Sequence, residues 1–302
     1  MASALAFPGV ALITGAAADV LIRTTGIGRA IASAFAREGC MKIVIADLTE
    51  STLKEAHSEI EAKFPNVQVL SCVVDVSSPG DVQNLLDQAI EKFGRVDYAV
   101  NAAGILGASK RSHEMSVEEF DKVLQVDYRG CWLSSREELK HMVQQEPLPS
   151  YDGRPGNRGA IVNIASQLGI VARPTAPSYC GSKAAVIHMT KADAIDVSTF
   201  IFLTISGSRI QFLVIHIMSV SFEVFVSDRY SFALVNCVCP GLIGTAMVMD
   251  NLEYFKPAIG ISPMKRYGTV EEVADCVLFL CSSKATFVQG AAFVVDGGYT
   301  IN

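Results

Sequence analysis

Short apolar runs alternate with longer amphipathic stretches along nearly the whole chain. Val10–Ile13, Lys42–Ala46, Val67–Val74 and Tyr98–Asn101 are rich in Val, Ile, Leu and Ala. Between them, Gly26–Glu38, Ser51–Lys63 and Asp81–Phe93 repeat apolar positions at helical spacing. A strand buried on both faces requires a continuous apolar run, and a helix lying on a sheet requires one apolar face. The pattern therefore predicts parallel strands joined by crossover helices, since no tight hairpin can connect parallel neighbours.

The second half continues the alternation. A long helix is expected over Val117–Gln145, a Pro/Gly-rich loop over Leu148–Arg158, a strand over Ala160–Ala165 and a helix over Ser178–Ile195. Ala233–Val238 reads as a strand, Val270–Cys281 as a helix and Ala292–Val295 as a final strand. No internal repeat and no domain-length linker interrupts the order. The fold class expected is α/β, a Rossmann-type doubly wound parallel sheet, with residues 1–302 as one domain.

Composition narrows the functions this fold can serve. The net charge of −6 argues against nucleic acid, which needs clustered Lys and Arg. Eight cysteines lie mostly in apolar runs without paired CxxC spacing, so reduced core thiols are expected and no metal site. Met1–Gly9 lacks the basic start and apolar stretch of a secretory leader, and a cytoplasmic protein with no membrane partner is expected.

Candidate chemistry gathers at strand ends. Gly15, Gly26 and Gly28, with Ile27 between the last two, fall where the first strand turns into the first helix. Glycine lets the backbone approach a pyrophosphate, and a helix start offers free N–H groups. Asp47 ends the second strand nineteen residues after Gly28. A carboxylate there accepts ribose hydroxyls and repels a 2′-phosphate, which favours NAD over NADP. The competing reading gives NADP a phosphate partner in Arg23. Asp75-Val76 follows the third strand, placed to meet an adenine, and Asn101-Ala102-Ala103-Gly104 follows the fourth with room for cofactor. Further on, Tyr179 and Lys183 are one helical turn apart, and Ser166 ends a strand thirteen residues before Tyr179. A cation one turn from a phenol stabilises the phenolate needed for proton transfer.

Taken in order, these residues resemble the short-chain dehydrogenase/reductase family over nearly the whole chain. Thr14-Gly15 with Gly26-Ile27-Gly28, Asp47, Asp75, Asn101–Gly104, Ser166, Tyr179–Lys183, Pro240–Thr245 and Asp296–Gly298 all follow its order. The resemblance implies hydride transfer between a nicotinamide cofactor and a secondary alcohol or ketone. It implies that Ser166 polarises the substrate oxygen, Tyr179 is the general acid/base, and Lys183 binds the nicotinamide ribose. Pro240, Gly241 and Thr245 would lie against the nicotinamide amide, and a homodimer or homotetramer is implied. Gln167, Leu168, Met247, Met249, Leu252, Tyr254 and Phe255 suggest an apolar pocket for a small cyclic or aromatic compound.

Three departures stand out. Asp127 occupies the place where the family usually has an asparagine anchoring a relay water. The family's TGxxxGxG loop is stretched, with ten residues between Gly15 and Gly26 instead of three, the excess falling at about 18–25. A second excess of about thirty residues, apolar and Ser-rich, falls at about 197–234. Mis-splicing is the preferred origin of both insertions, with Val197-Ser198 compatible with the start of a retained intron. The alternative function is then a catalytically impaired Rossmann-like binding protein.

Overall fold

The computed structural model describes residues 7–17, 26–149, 153–154, 156–198, 232–250 and 252–301. Seven strands, β1 (Val10–Thr14), β2 (Lys42–Asp47), β3 (Gln68–Val73), β4 (Tyr98–Asn101), β5 (Gly159–Ile164), β6 (Ala233–Pro240) and β7 (Ala292–Val295), form one parallel sheet. Their order is β3-β2-β1-β4-β5-β6-β7. β1 and β4 are neighbours from which the chain winds in opposite directions, so a crevice opens at their carboxyl ends. In β1 and β5 every residue is buried, which is why both read as mostly apolar runs, with Thr14 and Asn163 the polar exceptions.

Two layers of helices cover the sheet. On one face, α1 (Ile27–Arg37), α2 (Glu50–Lys63) and α9 (Val270–Cys281) share a core with Ile13, Ile43, Val100 and Val162. On the other, α3 (Pro79–Phe93), α5 (Cys131–Met142) and α6 (Pro177–Ser198) pack with Leu12, Val44, Ala99 and Ile161. Alternate strand residues thus serve opposite cores. The helix starts are locally encoded: Ser78 accepts the Asp81 N–H ahead of Pro79, and reciprocal Ser116–Glu119 bonds open α4 (Val117–Val123). No described helix is long and apolar enough to cross a membrane.

The helix expected over Val117–Gln145 is a three-part run. Between α4 and α5, residues Leu124–Gly130 form a π-helix, and α5 ends at Met142. The wider π turn rotates the residues after it relative to a regular helix and carries Asp127 inward. Gly130 permits close packing there, since a Cβ would stand 2.9 Å from Val76 Cγ2. The short helices α7 (Ala246–Met249) and α8 (Leu252–Ile261) were not expected; one has four residues and the other contains Pro257.

The inserted stretch 18–25, Arg23 included, lies outside the described residues. Its flanks are nevertheless close, for a Cβ on Gly26 would stand 3.2 Å from the Ala17 carbonyl oxygen. The second insertion is narrower than its sequence bounds. Val197 is buried in the α6 core, and Ala233 and Leu234 pair with Gly159 and Ala160 in the sheet, so both ends belong to regular structure. Residues 199–231 lie outside the described residues. Gln289 ties the two flanks together, its Nε2 donating to Ser198 Oγ and to the Ala233 carbonyl oxygen, each at 3.1 Å.

Candidate active site

The crevice has two sides, one built mainly from backbone and the other from side chains. On the backbone side, Gly28 packs against Gly15 so closely that any Cβ would overlap the Gly15 carbonyl oxygen. Gly15 has φ +67, and a Cβ on it would stand 2.7 Å from the Ala103 nitrogen. These two glycines are needed for space and, at Gly15, also for conformation. The glycines stay in register despite the ten residues separating Gly15 from Gly26.

At the start of α1, Gly26 provides no side-chain cap and no acidic residue occupies the first turn. Among the described residues no side chain caps the first N–H groups of the helix, and such groups are what a pyrophosphate requires. Ile27 is half-buried and packs on the core beside this turn. Asp47 sits at the rim, where its Oδ2 accepts the Ala17 N–H at 2.9 Å. Asp75 closes a turn by accepting the Ser77 N–H at 2.9 Å and the Ser77 hydroxyl at 2.7 Å. Val76 is buried beneath Gly130. Ala102 and Gly104 bring their backbone to the crevice, with Ala102 against Gly15 and Gly104 above Lys183. This uncapped helix start and crowded glycine turn fit a dinucleotide.

On the side-chain side, Ser166 follows β5 and its Oγ accepts the Leu168 N–H at 3.1 Å. The hydroxyl proton is therefore available to another acceptor. Tyr179 and Lys183 lie on α6, and Lys183 Nζ sits 5.6 Å from the Tyr179 ring centroid. Lys183 is buried; its Nζ donates to the Ile164 carbonyl oxygen at 3.0 Å and stands 3.5 Å from Asp127 Oδ2. Burial alone would lower the Lys183 pKa, but the Asp127 charge, with Tyr179 and Cys131, raises it above its ordinary value. Pro240 closes β6, and Gly241 follows where a Cβ would stand 2.7 Å from Asp296 Cα. Thr245 begins α7. Among the apolar pocket candidates, Leu168 and Phe255 are buried and Met247 is exposed; the Tyr254 side chain lies outside the described residues.

A polar layer that the sequence does not announce supports both sides. Asn101 Nδ2 donates to Glu138 Oε2 and to Asn163 Oδ1, each at 3.0 Å, and Asn163 Nδ2 donates to Thr190 Oγ1 at 3.0 Å. Ser135 Oγ donates to Asn163 Oδ1 at 3.2 Å. The Asn101 side chain is thus engaged below the crevice. Glu138 is fully buried, and that burial pushes its carboxyl up to about 8 despite the Asn101 hydrogen bond. The one sequence signal was spacing, since Glu138 stands on a helical stripe with Cys131, Ser135 and Met142.

Residues 9–201 match the family profile described as short chain dehydrogenase, and residues 231–300 match one described as Enoyl-(Acyl carrier protein) reductase. The chain is 35% identical to 2-(R)-hydroxypropyl-CoM dehydrogenase of Xanthobacter autotrophicus, covering 96% of this chain and 98% of that one. It is 30% identical to glucose 1-dehydrogenase 2 of Bacillus subtilis, covering 96% of each. The crystal structure of levodione reductase superposes with a TM-score of 0.77 at 27% identity, over 98% of this chain and 99% of that chain. Backbone cradle, strand order and sequence likeness agree: the chain belongs to the short-chain dehydrogenase/reductase family, whose members move hydride between a nicotinamide cofactor and a secondary alcohol or ketone.

Proposed function

We propose that the chain works as one nucleotide-binding domain, an NAD(H)-dependent oxidoreductase of a small cyclic or aromatic secondary alcohol or its ketone. The observation that carries this reading is Lys183 held beneath Tyr179, with Ser166 at the adjoining end of β5. Gly15, Gly26, Ile27 and Gly28 would hold the pyrophosphate, and Asp47 the adenosine ribose. Asp75 and Val76 would lie toward the adenine, with Asn101, Ala102, Gly104, Pro240, Gly241 and Thr245 along the nicotinamide half. When bound, the nicotinamide supplies or accepts the hydride.

The chain's own residues manage the oxygen. In the reductive direction Ser166 donates a hydrogen bond to the carbonyl oxygen, and Tyr179 delivers a proton to it as the alkoxide develops. Lys183 has three donors; one is held by Ile164, and the others serve the nicotinamide ribose and favour the Tyr179 phenolate. Asp127 stands at the relay position beside Lys183. Leu168 adjoins Ser166, and with Phe255 it belongs to the apolar residues that would favour a ring or aromatic body.

The support for NAD over NADP is the Asp47 carboxylate at the rim, which would repel a 2′-phosphate. Eight free cysteines, six of them buried, support a reducing, cytoplasmic setting, and family resemblance supports a homodimer or homotetramer. Fluorescence titration with NADH and NADPH tests the cofactor assignment. NADH is expected to bind at least tenfold tighter, and Asp47→Ala to narrow the difference; equal affinities in the wild type would refute it. Turnover of a panel of cyclic ketones with NADH tests the activity, and absence of any NADH binding would leave the impaired-binding-protein reading in its place.

A further inference from the structure

The reading above leaves unexplained why a carboxylate lies against the lysine on which the chemistry depends. Asp127 is 1% exposed and Lys183 is 4% exposed. Asp127 Oδ1 accepts the Ile105 N–H at 2.8 Å, while Oδ2 faces Lys183 Nζ at 3.5 Å and has no other partner among the described residues. Gly104 closes over both partners, for a Cβ there would stand 3.2 Å from Nζ and 3.4 Å from Oδ1. The carboxylate is therefore fixed by backbone on one oxygen and compensated through the other only by the ammonium.

The surroundings supply few other charges. Tyr179 faces Lys183 from α6 and Cys131 faces it from α5, with Glu138 and Asp193 interacting with Cys131 behind them. Burial raises the Asp127 pKa and outweighs the opposing effects of Lys183 and the Ile105 N–H. A buried cation next to a buried anion presents much less net charge to a third group than the cation alone.

We propose that Asp127 is a positioning residue acting through Lys183: its carboxylate anchors the ammonium as a fixed counter-ion and withholds part of its charge from the Tyr179 hydroxyl. This deepens the proposed function and rests on Tyr179 being the general base. In the oxidative direction the base must lose its proton before it can accept one from the alcohol. The acid limb of kcat/KM, which reports that loss, is therefore expected to respond to the charge at position 127. An asparagine at this position keeps the acceptor for Ile105 and removes the charge.

The test is the pH profile of alcohol oxidation at saturating NAD for the wild type and Asp127→Asn. The acid limb of kcat/KM is expected to move down by about one pH unit, with NADH affinity unchanged. Ultraviolet difference titration of each protein against its own Tyr179→Phe counterpart should show phenolate appearing at correspondingly lower pH, without any need for turnover. Asp127→Ala removes the charge by a different route and should shift the limb in the same direction, whereas Asp127→Glu should leave it near the wild-type position. Coincident limbs in the wild type and whichever of the Asn and Ala variants folds, or equal shifts in the Asn and Glu variants, would overturn the proposal. If Tyr179→Phe retained full turnover, the base assignment itself would fall. A dead Tyr179→Phe alongside an unshifted Asp127→Asn would overturn only the role of Asp127.

Discussion

The two sides of the crevice meet at Gly104 but are built by opposite means. The phosphate side is made of backbone in close approach, where Gly28 lies on Gly15 and Gly15 on Ala103. The chemical side is made of side chains whose charges and hydrogen bonds compensate one another in a buried layer. The first should fail when volume is added and tolerate changes of charge. The second should fail when charge or a proton is removed and tolerate isosteric replacement.

The largest effect should come from the chemical side. Tyr179→Phe removes one oxygen and no packing surface of note, so NADH affinity should stay within about twofold while kcat falls by roughly a thousandfold. Stopped-flow NADH binding together with steady-state turnover measures both. A parallel loss of binding would dissolve the contrast between the two sides. On the phosphate side the converse is expected. Gly28→Ala drives a methyl into the Gly15 carbonyl, so the turn must open and NADH affinity should fall at least tenfold, about 1.4 kcal/mol. Turnover at saturating cofactor should survive far better than in Tyr179→Phe, and normal NADH affinity would show that the turn is not the cradle.

The two sides also differed in how far the sequence disclosed them. Strands buried on both faces, Tyr98–Asn101 among them, read directly as apolar runs, and the partly exposed Ala292–Val295 was located to the residue as well. The glycine turn was legible because Gly15 and Gly28 have few other physical reasons to stand where they do. The buried polar layer was not. Glu138 falls within a 29-residue stretch whose helical period looks uninterrupted, so little there marks its carboxylate as buried, and Asp127 stands out only through the family resemblance. A π turn changes the period for only a few residues, so hydrophobic spacing does not reveal it. Val197 and Leu234 were assigned to an insertion because their neighbours in sequence are anomalous, although their neighbours in space are ordinary core.

Glu138 offers a smaller and cleaner probe of the chemical side. Its carboxyl rises from 4.5 to about 8 on burial, so the folded protein keeps a proton that the unfolded chain releases. This group's stabilisation is complete below about pH 4.5 and is lost progressively as pH rises toward 8. Glu138→Gln is isosteric, keeps an acceptor for Asn101 and cannot ionise. Between pH 5 and 8 the wild-type Tm should fall relative to the variant by about 6–12 °C, equivalent to about 3 kcal/mol. Parallel Tm curves would show that the layer holds no proton of its own.

The smallest effect expected concerns the stretched phosphate loop, and its sign is informative. If the added residues enter and leave at one point, as the proximity of Ala17 to Gly26 indicates, removing residues 19–25 should leave the glycine turn intact and restore the family spacing. Shortening the connection from ten residues to three reduces the entropy lost on closing it, by about 1 kcal/mol for a flexible loop. The deletion should therefore raise Tm by a few degrees and leave NADH affinity equal or modestly tighter, as differential scanning fluorimetry and NADH titration can measure. A loss of NADH binding on deletion would mean that the extra residues help to form the cradle, and that the phosphate side does not rest on the glycine backbone alone.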